Sequence, residues 1–89
     1  MIKNKDFEIV SVADEHMAVP VGEEAASFHG VITLNEAAAF LLNKMEQSYT
    51  IEQLIQILQE EYDVDSVTAE KDINELLNKL IEMKLVIDD

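Results

Sequence analysis

The chain has 89 residues, with nineteen acids, six lysines, no arginine and a formal net charge of −13. Nucleic-acid binding draws most of its affinity from Lys and Arg on phosphates, so DNA or RNA is not an expected partner; an anionic surface suits basic peptides or proteins, or simply keeps the chain dissolved. With no cysteine there is no disulfide, zinc-thiolate site or thiol nucleophile, and the length allows one domain, 1–89, with a modest core.

In chain order, 7–12 is β-branched and reads as a first strand. "ADE" is a turn, and 16–21 forms a second strand with Met17, Val19 and Val21 on one face. Pro20 cannot donate to a ladder and marks an edge or a strand end. "GEEAA" reads as a connector. The third strand runs through 27–34, with Phe28, Ile32 and Leu34 on one face and His29, Val31 and Thr33 on the other. At Asn35 the rhythm turns helical, and its side-chain oxygen suits an N-cap, with Glu36 at the positive helix end. Thr50 and Gln53 fit a capping box, followed by a stripe of Ile51, Leu54, Ile55, Leu58 and Tyr62 at helical spacing. A third helix starts near Asp65 or Ser66 and reaches about Lys84, with a wide apolar arc from Met83 to Ile81; one edge of that arc is free to line a groove. Leu85-Val86-Ile87 adds a short strand or a tail.

Enzyme chemistry lacks its parts. His16 and His29 are the only imidazoles, and Gly22 and Gly30 are too far apart for a phosphate loop. No catalytic residue, metal or cofactor is expected, and no apolar run approaches the ~20 residues of a membrane span. The first twenty residues lack an apolar signal core, so a cytoplasmic protein is expected. "VDSVT" resembles the Asp-Ser-Leu of acyl carrier proteins, whose Ser carries a prosthetic group. Against this, Val67 replaces the Leu, and strands have no place in that four-helix fold. Ser66 reads first as a cap.

Taken together, "GVITLNEAAAFLL", the T-x-x-Q helix, the turn "EEYDVDS" and "EKDINELLNKLIEMKLV" resemble the PqqD-like family, the RiPP recognition elements. The likeness rests on Leu34-Asn35 at the strand–helix corner, on Tyr62-Asp63-Val64, and on Asp72, Ile73, Leu76, Leu77 and Leu80. The segment 43–48 departs from it, since the family often has a Gly there. The resemblance implies an α+β, winged helix-turn-helix-like fold: a three-stranded antiparallel N-terminal sheet followed by three helices. It also implies a peptide-binding adaptor that holds the leader segment of a ribosomally made precursor and presents it to a modifying enzyme, commonly a radical SAM protein. The implied mode is β-augmentation, the leader adding a strand beside the third strand and packing on the third helix.

On that reading Phe28, His29, Gly30, Val31 and Ile32 receive the leader, and Asp72, Ile73, Leu76 and Leu80 shape the helix side. Gly30, lacking a Cβ, permits close approach of another backbone or a bulge. Three alternatives stay open: a carrier modified at Ser66, a winged-helix module with another protein partner, and a homodimer formed through the unpaired strand. The third helix carries four acids against two lysines among its polar positions, which is wrong for a DNA-reading element.

Overall fold

The computed structural model describes residues 1–27 and 30–88. Its elements are β1 (Ile2–Lys3), β2 (Phe7–Val12), β3 (Glu15–Pro20), α1 (Gly22–Ser27), β4 (Ile32–Leu34), α2 (Glu36–Lys44), α3 (Ile51–Tyr62), α4 (Ser66–Glu82) and β5 (Val86–Ile87). β2, β3 and β4 form an antiparallel sheet with β3 in the middle, while β1 pairs with β5. This is the expected α+β architecture, with the tail at Leu85-Val86-Ile87 resolved as a strand.

Helix ends follow the chemistry of their caps. The Asn35 side chain accepts from the Ala38 N–H at 2.8 Å, fixing the turn from β4 into α2 within one residue. Thr50 and Gln53 close the reciprocal capping box of α3. Asp65, not Ser66, caps α4, accepting from the Thr68 N–H at 2.7 Å. Ser66 is the first helical residue and is exposed. At the far end Lys84 adopts a left-handed φ of 65°, and the Leu85 N–H bonds back to the Leu80 carbonyl at 2.8 Å. That closure ends α4 at Glu82 and turns the chain into β5.

The core lies between the sheet and the helices. Phe7, Ala18 and Leu34 come from the sheet, Leu41 and Leu42 from α2, Leu54 and Leu58 from α3, and Ile73, Leu77 and Leu80 from α4. α4 packs along α3 and reaches β5, as a broad apolar arc requires.

Two expectations need correction. The connector at "GEEAA" is the helix α1: Glu23 and Glu24 occupy its first turn, where the dipole favours them, and Ala25 and Ala26 propagate it. Gly22 starts it at φ +58°, and a Cβ there would sit 3.0 Å from the Asp6 carboxylate. Consequently the third strand does not run from Ser27; it begins at Ile32. Gly30 lies in a bend at φ +107°, Val31 precedes the strand, and Phe28 and His29 lie outside the described residues. On β3, Met17 and Val19 share one face and stay half-buried, while Ala18 on the other face is fully buried.

Candidate binding groove

β4 is an edge of the sheet, and the register shows which of its backbone groups are spare. The Val21 N–H donates to the Asp6 carbonyl at 2.7 Å, so that pair is hydrogen-bonded. Pairs alternate along an antiparallel ladder, which turns Glu15, Met17 and Val19 toward β2 and His16 and Ala18 toward β4. His16 faces Leu34 and Ala18 faces Ile32, so those are the bonded pairs of the β3–β4 ladder. Thr33 lies between them and directs both its N–H and its carbonyl outward. The Asn35 carbonyl is taken by the Ala39 N–H. Among the described residues no strand pairs with this outer side of β4. The Val31 and Thr33 side chains are exposed, while Ile32 and Leu34 point to the core. Around Gly30 the place of a Cβ is open space.

Where β4 passes into α2, a cavity of about 410 Å³ opens toward α4, lined by Asn35, Ala37, Leu58, Tyr62, Val64, Asp72, Glu75, Leu76 and Lys79. Its floor is apolar, from α3, the α3–α4 turn and Leu76; its rim on α4 is charged. The Tyr62 ring is fixed edge-on to Phe40 at 5.7 Å between centroids. Burial pushes the Tyr62 phenol up from its ordinary value, and the carboxylates of Glu36 and Glu61 push it further, so it stays protonated and able to donate. The exposed face of α4 carries Glu70, Asp72, Glu75 and Glu82 against Lys71 and Lys79. Phosphate backbone would be repelled there.

The sequence-derived site residues divide by position. Ile32 stands in β4 with its backbone groups turned to Ala18, and Val31 immediately precedes the strand with its side chain exposed. Asp72 and Leu76 line the cavity beside Asn35. Ile73 and Leu80 are fully buried and support the groove from beneath. Sequence reasoning did not pick out Tyr62, Val64, Glu75 and Lys79 as groove residues. The spacing of Asp72, Leu76 and Lys79 on one helical stripe was the available signal.

Comparison with known proteins covers the same ground. The family model for coenzyme PQQ synthesis protein D (PqqD) matches residues 9–86. TbiB1 in complex with the TbiA(beta) leader peptide is similar in fold at a TM-score of 0.75 and 19% identity, over 99% of this chain and 100% of that one. Lasso peptide synthetase B1 complexed with the leader peptide is similar at a TM-score of 0.72 and 20% identity, over 97% and 95%. Among curated proteins none matches the chain in sequence. A family match over residues 9–86, from β2 into β5, covers most of the chain: the chain belongs to the PqqD family.

Proposed function

We propose that this protein is a non-catalytic adaptor that binds the leader segment of a ribosomally synthesised precursor peptide and presents it to a separate modifying enzyme, such as a radical SAM protein. The observation that carries the reading is the outer side of β4, bare among the described residues, where Thr33 turns its N–H and carbonyl outward beside the cavity under α4. A leader laid along Val31 and Thr33 gains main-chain hydrogen bonds that any sequence can make, and the cavity beside Asn35 adds side-chain choice. The two similar structures were each determined with a leader peptide bound, which supports the same use of this fold. The adaptor works in the cytoplasm, where a ribosomal precursor first becomes available, and 1–89 acts as one unit.

Titrating the isotope-labelled chain with the synthetic leader of a precursor encoded beside it tests the proposal. Amide shifts should concentrate in 31–35 and 72–79. Shifts spread elsewhere, or no saturable binding to any such leader, would overturn it.

A further inference from the structure

The cavity beside Asn35 also has a chemistry, and it selects among peptides. Resting on the adaptor reading, we infer that this cavity receives a lysine or arginine side chain of the guest, with its methylene stem on the apolar floor and its charge at Asp72 and Glu75. The floor is built from Leu58, Tyr62, Val64 and Leu76, and two carboxylates stand on its α4 rim, with Lys79 as the one cation of the lining among the described residues. A purely apolar occupant would bury its end against those carboxylates, and an acidic one would be repelled by them. A basic side chain satisfies both parts, because its stem is apolar and its head can stay at the wet rim. Glu36 and Glu61, which add to burial in raising the Tyr62 phenol, bring further negative charge near the Tyr62 side of the floor. With −13 on the chain, little cationic surface is left to neutralise this field.

Register fixes where the basic residue falls. A guest strand paired with Thr33 advances about 3.3 Å per residue, and Asn35, which lines the cavity, lies two residues beyond Thr33. The Thr33 side chain faces away from the core and Leu34 faces toward it. The residue that enters the cavity therefore lies an odd number of positions, about one to three, from the one opposite Thr33, on the helix-facing side of the guest strand.

Panning a random linear peptide library against the intact chain, then synthesising the enriched sequence, tests this. Enriched peptides should share a Lys or Arg at one fixed position within an extended stretch. Binding of the synthetic peptide should weaken about fivefold in the D72N/E75Q variant, the upper reach of an exposed ion pair. Lys79→Gln should tighten binding by about twofold, a gain that a damaged fold cannot produce. Replacing the peptide's basic residue with norleucine should remove both effects. Enrichment without a fixed basic position, or a basic peptide indifferent to both variants, overturns the inference and leaves the adaptor reading standing. Failure of every linear peptide to bind overturns both together.

Discussion

Replacing Thr33 with proline separates folding from binding. The Thr33 N–H points away from β3, so the ring removes no hydrogen bond of the sheet. Proline is tolerated on an edge strand whose N–H faces solvent, and Ile32 before it is already in the extended conformation that a following proline requires. The reduced freedom of the unfolded chain offsets part of any local strain. Stability should change by less than about 1 kcal/mol, or within about 5 °C in melting temperature. A guest strand, however, loses the donor opposite its carbonyl. That removes a hydrogen bond worth about 1 kcal/mol and leaves a carbonyl facing the ring at a further cost of about 1 kcal/mol or more. Together this is about 2 kcal/mol, or roughly thirtyfold in Kd. Thermal melts followed by circular dichroism and anisotropy of a labelled leader measure the two quantities. Ser11→Pro is the control, because by the same alternation Ser11 carries its N–H on the outer side of β2; leader affinity should not change. A Thr33→Pro protein that melts normally and still binds with parental affinity refutes strand addition at β4. One that fails to fold shows that the Thr33 N–H is used within the sheet.

The remaining predictions concern packing, the hairpin and pH. Ala13, in the β2–β3 turn, holds a left-handed φ of 55°, so Ala13→Gly should stabilise the chain by about 0.5–1 kcal/mol, read as a raised denaturant midpoint. Ile73→Ala opens a hole in the fully buried core and should destabilise by about 2–5 kcal/mol, whereas half-buried Leu76→Ala should disturb stability less and leader binding more, as parallel denaturation and anisotropy titrations would show. The hydrogen bonds from Thr68 hold the Asp65 carboxyl below its usual range. Its support of α4 is therefore complete above the unfolded carboxyl value of about 3.9 and is lost as pH falls through the lower folded value. Asp65→Asn, which keeps a capping oxygen, should remove that part of the acid sensitivity in a helicity-against-pH curve.

Elements with strong local chemistry could be placed from sequence. Thr50 and Gln53 mark one helix start, Asn35 marks another, and the stripe from Ile51 to Tyr62 has a single buried side. Two ambiguities defeated the same reasoning. Ser27 to Leu34 alternates well enough to pass for one strand, yet the Glu23–Ala26 run upstream favours a helix that consumes the chain as far as Ser27, leaving β4 only three residues. Asp65 and Ser66 are both good caps, and only the geometry at Thr68 distinguishes them. The site suffered from rotation. Helical spacing groups Ile73, Leu76 and Leu80 as one arc, but how that arc turns depends on where α3 lies against it. In the packed molecule Ile73 and Leu80 are buried and Leu76 stands at the cavity wall. Tyr62 and Val64 join Leu76 only through that packing, so no local pattern reveals them.

The two edges of the sheet are treated differently, and the difference explains why a guest should choose one. On β2 the outward groups begin at Phe7, whose N–H donates to the Asn4 carbonyl at 3.2 Å and whose carbonyl accepts from Lys3 Nζ at 2.7 Å. Lys3 is itself anchored, pairing with Val86 in the β1–β5 ladder and donating its backbone N–H to Met45. A lysine folded over an edge is a common protection against unwanted strand pairing, and here it closes the base of β2, where a guest would need to start. β4 has no such cover among the described residues. Its bare stretch is short, centred on Thr33, so backbone bonds alone give weak and unselective pairing. A short open edge is useful only when something beside it adds affinity, and the cavity under α4 lies where a strand leaving Thr33 must pass. At β4 an open edge and side chains that can discriminate thus lie together, which is the arrangement a selective peptide receptor requires.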